Sequence, residues 1–290
     1  MPQLSPLLSH LRERAAALSP NQQLLARHVL ANYQTVAFST IKQLAQACGV
    51  SEATIVRFSK AAGFAGYPAL QKEIRRIVRA DLKGPDRFKL TYSSSPSRQD
   101  TLSSVIRKEI ENISYLQQTH ASQELAHAVS AMRGASEVLV AGTRSTVPLA
   151  YHLWFGLAKI GISATRILEV TTTTYDRVDR SGRGALLVVI GFPRYLRELV
   201  ELLRFARERG IKTLTITDGP TSPLRGELSL YAPAESASFV AFHCAPMILI
   251  NTLLHELSVA DRKKTLSALS RFEALAESKA YFRAPRQHPA

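Results

Sequence analysis

Four short runs constrain the second half of the chain more than anything else in it: "EVLVAG", "ISATRIL", "ALLVVIG" and "KTLTITD". Each is a brief stretch of apolar or β-branched side chains, the length of a strand and too short for a buried helix. Helical apolar spacing follows the first run over residues 145–160 and the third over 195–209. A strand that is apolar on successive residues has no side for water, so its sheet must be covered on both faces. Strands alternating with helices make that sheet mostly parallel.

Such a sheet binds ligands beyond the carboxyl ends of its strands. Two stretches fall there. After "VAG", Thr143, Arg144, Ser145 and Thr146 open a helix. Hydroxyls and backbone N–H groups at a helix start suit a phosphate or a carboxylate. The alternative is a hydroxyl cap with no ligand, and a single glycine is too few for a dinucleotide fingerprint. After "VVIG", Arg194 and Tyr195 stand at the second strand end. A guanidinium there suits a carboxylate or phosphate ligand, or pairs with a carboxylate of the protein itself. Further on, residues 238–257, "SFVAFHCAPMILINTLLHEL", are apolar almost all round. A helix of that kind is buried on every side, as one shared between subunits or central to one domain. Within it His243 is expected as a packed, hydrogen-bonded core histidine, and Glu235 as a capping carboxylate at its start.

The first third reads differently. In "QLAQACGVSEATIVRFSKAAGF", residues 43–64, the apolar Ile41, Leu44, Ala45 and Cys48 form one helical stripe that stops at Gly49. Glycine accepts the left-handed turn that ends a helix. Ser51 then caps a second helix, Glu52 suits its positive end, and Ile55, Phe58 and Ala62 repeat the stripe. Two helices joined by so short a turn must cross steeply, which predicts a helix-turn-helix. Ser51, Glu52, Thr54, Arg57 and Lys60 are left on the outer face of the second helix. Arginine can bond guanine in two places, and hydroxyls reach phosphate or base edges. An ordinary helical hairpin with its polar face in water is the alternative. "LSPNQQLLARHVLANY" adds a helix before the unit, with Ser19 and Pro20 at its start. "GYPALQKEIRRIVRADLK" adds one after it, with Lys72, Arg75, Arg76 and Arg79 as a basic face.

Charge supports a polyanionic partner for this third. Residues 1–90 hold 13 Lys+Arg and 5 Asp+Glu, a net of +8 out of +14 for the chain. A nucleic acid or a membrane surface fits, with a solvated basic surface as the alternative; the helix-turn-helix points to double-stranded DNA, and the basic excess argues against a protein-binding module. The two cysteines, Cys48 and Cys244, lie far apart in apolar contexts, so no disulfide framework is expected. No Cys or His stands at metal-ligand spacing, and no cofactor is implied. Arg12 and Arg14 interrupt the apolar residues near the start, and residues 239–254 are too short for a membrane span. The expectation is a cytoplasmic protein without a membrane partner.

The segment "LSPNQQLLARHVLANYQTVAFSTIKQLAQACGVSEATIVRFSKAAGFAGYPALQ" and the strand-loop-helix series over residues 138–257 resemble the RpiR/MurR family of bacterial transcriptional regulators. The resemblance implies an all-α helix-turn-helix domain over residues 1–80, a linker over 81–100, an α/β sugar isomerase (SIS) domain over 101–280 and a tail over 281–290. It further implies a homo-oligomer, dimer or tetramer, that binds operator DNA with an affinity set by a small metabolite. Ser145 and Thr146 match the first phosphate loop of SIS domains. The second loop departs from the pattern: in "IGFPRYLRE", Tyr195 stands where threonine is usual, and Ile190 and Phe192 where serine is usual. The expected effector is therefore a small anion held partly by Arg194, which need not be a phosphosugar. No catalytic residue is assigned. The alternative is a sugar-phosphate isomerase with an accessory helical domain, against which neither residues 143–146 nor residues 191–195 contain the carboxylate or histidine that proton abstraction needs.

Overall fold

The computed structural model describes residues 18–81, 85, 101–119, 122–236 and 243–282. The chain divides into two compact units, Met1–Ser95 and Pro96–Ala290. Most of the segment expected as a linker over 81–100, and of the tail expected over 281–290, lies outside the described residues.

The first unit is helical: α1 (Pro20–Val36), α2 (Ile41–Cys48), α3 (Glu52–Ala61) and α4 (Tyr67–Asp81). Its helix ends follow from the sequence. Pro20 opens α1, and the Gln22 side chain turns back to accept from the Ser19 N–H at 3.1 Å. Thr40 caps α2, accepting from the Gln43 N–H at 3.2 Å while Gln43 accepts from the Thr40 N–H at 2.7 Å. Gly49 takes φ 64°, the left-handed region, and the Val50 N–H closes the turn on the Ala45 carbonyl. Ser51 then caps α3 through the Thr54 N–H. Leu25, Val29, Leu44, Ile55, Phe58, Leu70 and Ile74, drawn from all four helices, form a fully buried core. Burying each large apolar side chain is worth about 1.5–3 kcal/mol, which holds the short helices α2 and α3 that would not persist alone.

The second unit contains α5 (Thr101–Thr119), α6 (Ser122–Gly134), β1 (Val138–Ala141), α7 (Val147–Lys159), β2 (Ala164–Ile167), α8 (Thr172–Ser181) and β3 (Leu186–Ile190). It continues with α9 (Arg197–Glu208), β4 (Lys212–Thr217), β5 (Leu228–Tyr231), α10 (Cys244–Ala260) and α11 (Arg262–Ser278). The sheet order is β2-β1-β3-β4-β5 and every pairing is parallel. Side chains alternate across it. Val138, Val140, Val188, Ile190, Leu214 and Ile216 face Leu149, Leu153, Leu249, Ile250 and Leu253 of α7 and α10. Leu139, Ala141, Leu187 and Val189 face Leu199, Leu202 and Val178 of α9 and α8. Both faces are covered, as continuous apolar strands require.

Three features depart from the sequence expectation. The run "ISATRIL" forms the edge strand β2, half-buried with Arg166 exposed. Strand β5 and helix α8 were not anticipated; "LSLY" and "TTTYDRVDRS" carry too few apolar residues to stand out. β5 pairs with β4 through the backbone and buries Leu230 in the core, and hydroxyls add to this. Thr213, Thr215 and Thr217, buried on one face of β4, bond the Glu227 N–H, the Ser229 hydroxyl and the Ser222 hydroxyl. Finally, α10 begins at Cys244, and residues 237–242 lie outside the described residues. It is buried along Ala245, Leu249, Ile250, Leu253 and Leu257 but exposes Ile248 and Val259, so one chain does not cover all its sides.

Candidate functional site

In the helical unit the expected contact residues share one surface. Ser51, Glu52, Arg57 and Lys60 are exposed on α3 and Thr54 is half-buried, while Ile55, Phe58 and Ser59 face the core. The Ser51 and Thr54 hydroxyls lie 2.9 Å apart, and an Arg57 Nη donates to Thr54 at 3.3 Å. Hydrogen bonds thus run Ser51–Thr54–Arg57 along the helix and aim the guanidinium. Ala53 and Ala61 are exposed on the same helix, and Ala53, one turn before Arg57, was missed because alanine carries no polar signal.

The basic face expected on α4 is partly spent internally. Arg75 Nε donates to the Ala37 carbonyl at 2.6 Å and an Nη donates to Gln71 Oε1 at 3.0 Å. The Gln71 amide and the Tyr67 hydroxyl both donate to the Ser39 carbonyl. One face of α4, at residues 67, 71 and 75, therefore ties down the turn from α1 into α2. The side chains of Arg76 and Arg79 lie outside the described residues.

In the second unit the two expected loops meet at the carboxyl edge of the sheet. Residues 144–146 form a single 3-10 turn that leads into α7, leaving Arg144 and Ser145 exposed and Thr146 buried. The Thr146 hydroxyl points to the carbonyls of Thr143 (3.0 Å) and of Ile190 (3.1 Å), so it joins the first loop to the second. Arg194 is exposed. Tyr195 is half-buried and its hydroxyl donates to Asp218 at the end of β4.

Among the described residues, two atoms beside these loops have no partner. Thr143 is 3% exposed, and its hydroxyl makes no hydrogen bond; neither does the buried Nε2 of His243. A buried polar group without a partner costs about 1–3 kcal/mol, so each is notable at a strand end. His243 sits just before α10 with its ring centroid 6.0 Å from that of Phe192 in the second loop. Burial pushes its pKa below the ordinary 6.5, and nearby Glu109 opposes that shift. His243 is thus half-buried and unpartnered on one nitrogen, where a hydrogen-bonded core histidine was expected. Glu235 is not a cap of α10. It pairs with Lys108 of α5 at 2.7 Å, and its carbonyl accepts from Asn112. Next to them Cys244 bonds Glu109, which raises the thiol's pKa. Among the described residues no three His, Cys, Asp or Glu side chains gather as a metal site would need, and no helix is long and apolar enough to cross a membrane.

Residues 5–78 match the helix-turn-helix domain of the rpiR family, and residues 131–256 match the SIS domain. The chain belongs to the RpiR family. Its relatives are named as transcriptional regulators. An uncharacterised HTH-type regulator of Caldanaerobacter subterraneus subsp. tengcongensis is 24% identical over 275 residues, spanning 93% of this chain and 95% of that protein. YfhH of Escherichia coli K12, also uncharacterised, is 27% identical over 256 residues, 83% of this chain and 88% of its own. The sugar isomerase domain of an RpiR transcription factor from Sphaerobacter thermophilus matches 60% of this chain and 99% of its own at a TM-score of 0.59 and 25% identity. NanR of Vibrio vulnificus, solved with ManNAc-6P, shares the fold over 94% of this chain and 98% of its own, at a TM-score of 0.56 and 20% identity. This RpiR protein is therefore a transcriptional regulator with a helix-turn-helix and an SIS domain. Two candidate groups of its crevice, Asp218 and His243, lie outside both loops and are brought there by the fold.

Proposed function

We propose that the protein binds double-stranded operator DNA as a homo-oligomer, through α3, and adjusts that binding to a small anionic metabolite held at the ends of β1 and β3. The observation that carries the DNA reading is the exposed, hydrogen-bonded row Ser51–Thr54–Arg57 on a helix whose other face is locked in the core. Such a helix can enter the major groove, with Arg57 bonding guanine, Ala53 meeting a thymine methyl, and Glu52 and Lys60 near the backbone. The metabolite reading rests on Thr143, Arg144 and Ser145 at the end of β1 and Arg194 after the end of β3, neighbouring strands that Thr146 joins there, with Tyr195 held to Asp218. Phosphosugars head the anions to test, because NanR was solved with one. Oligomer formation is supported by the uncovered side of α10 with Ile248 (39% exposed), and by Tyr151 (45%) and Phe155 (46%) on α7. DNA as partner places the protein in the cytoplasm.

Selection of bound sequences from a random duplex pool tests this reading. The expected result is an inverted repeat whose half-sites lie about 34–36 Å apart, or a multiple of that. Recovery of no common sequence would overturn it. A second reading, sugar-phosphate isomerase, is favoured by His243 beside Phe192 of the second loop, an imidazole base of a kind the two loops lack. Aldose–ketose interconversion of a phosphosugar by the purified protein would select it.

A further inference from the structure

At the opposite edge of the sheet, where the strands begin, the SIS unit holds a cavity of about 340 Å³. The end of α6, the turn from α7 into β2 and the corner between α10 and α11 enclose it. Ile160, Ile162 and Leu257 line it with apolar surface, and Arg133 and Lys264 bring two cations to it. Among the described residues the lining holds one carboxylate, Asp261, which caps α11 by accepting from the Lys264 backbone N–H at 3.0 Å and leaves the two cations in excess. Among the described residues, neither Arg133 nor Lys264 enters an ion pair. The Lys264 stem is also positioned. It crosses Gly161, which has φ 79° and no side chain, with Cγ and Cε each 3.8 Å from where a Cβ would stand. A cavity with two unpaired cations above an apolar floor has the chemistry of a site for an organic anion.

We propose that this cavity is a second ligand site, for a small organic anion whose carboxylate or phosphate lies at Arg133 and Lys264 and whose short apolar body covers Ile160, Ile162 and Leu257. The site is independent of whatever the strand-end crevice binds. Its position matters for regulation. Leu257 lies in the last turns of α10, and His243 immediately precedes that helix's first turn at the crevice. The helix is 17 residues long, about 25 Å, so the two sites lie at opposite ends of one helix packed on the sheet.

Titration calorimetry of the full chain at constant ionic strength tests the proposal, with inorganic phosphate and 3-methylbutanoate as probes. The expected result is saturable one-site binding of at least one probe. Whichever probe binds identifies the headgroup. Arg133→Ala and Lys264→Ala should each weaken it more than ten-fold with unchanged melting curves, since both side chains are exposed. Lys263→Ala, an equal charge loss on the same helix, should leave it within two-fold, and Arg194→Ala should leave it intact, which separates this cavity from the crevice. No saturable binding of either probe, binding indifferent to Arg133→Ala and Lys264→Ala, or an equal loss in Lys263→Ala would overturn it.

Discussion

The two candidate binding surfaces of this protein are built on opposite terms. On α3 the contact groups are exposed side chains of one helix, hydrated until a partner arrives, with Ile55 and Phe58 fully buried behind them. At the carboxyl edge of the sheet the groups come from four separate segments, around Thr143, Arg194, Asp218 and His243, and the two telling atoms are buried without a partner. The first surface costs the fold almost nothing. The second carries a desolvation penalty in the free protein that a bound ligand can relieve. Changing the first, apart from the Ser51 cap of α3, should alter binding and leave stability alone; changing the second should alter both, in opposite directions.

Arg57→Ala gives the largest expected effect on the α3 side. Operator affinity should fall by about 1–3 kcal/mol, with relaxed specificity at one base pair and an unchanged melting temperature. Quantitative binding to matched and mismatched duplexes checks it, and loss of thermal stability would break the comparison from that side.

Thr143→Val is the counterpart in the crevice. It keeps the shape and removes the unpartnered hydroxyl, so the SIS unit should gain about 1 kcal/mol while the metabolite response weakens. Denaturant unfolding and metabolite-dependent DNA binding report the two halves. A destabilised variant would mean that the hydroxyl is paired in solution.

Arg75→Met sharpens the comparison within the helical unit. Its Nε supports the Ala37 carbonyl, so the variant should lose about 1 kcal/mol of stability. The salt dependence of DNA binding should keep its slope. A slope smaller by about one would instead make Arg75 a phosphate contact.

The smallest effect is the pH dependence through His243. Its folded pKa lies below the ordinary 6.5, so the unfolded chain takes up a proton first as the pH falls. Stability should therefore decline from about pH 6.5 down to the lowered value and level off beneath it. An anion bonded to Nε2 would raise that pKa and bind more tightly at low pH. Melting curves of the wild type and His243→Gln from about pH 7 to about pH 5 check this; parallel curves would remove the histidine's part.

The helical unit was almost wholly legible from its residues, because a helix-turn-helix is specified locally. Gly49, the Ser51 cap and the spacing of Leu44, Ile55 and Phe58 act within a few residues of each other. The basic face of α4 was legible as charge but not as use, since Arg75 bonds a carbonyl 38 residues away. In the sheet unit the central strands β1, β3 and β4 were plain from their apolar runs. β5 was not, since it is short, with Leu230 alone fully buried, and depends on its backbone pairing with β4 and on the Thr215–Ser229 hydroxyl bond.

By itself the sequence determined the helix-turn-helix, the central strands β1, β3 and β4 of a parallel sheet with both faces covered, and which helix presents Arg57. Those follow from periodicity and caps, which are short-range. Only the tertiary structure decided how the strand-end groups are used. It spends the Thr146 hydroxyl on Ile190, 44 residues away, turns Tyr195 to Asp218, and carries His243 to the ring of Phe192. The physical reason is that a hydroxyl or imidazole has the same chemistry whether it is free, paired or buried. Which of these holds depends on what the folded backbone brings within about 3 Å of it, and no residue spacing encodes that distance.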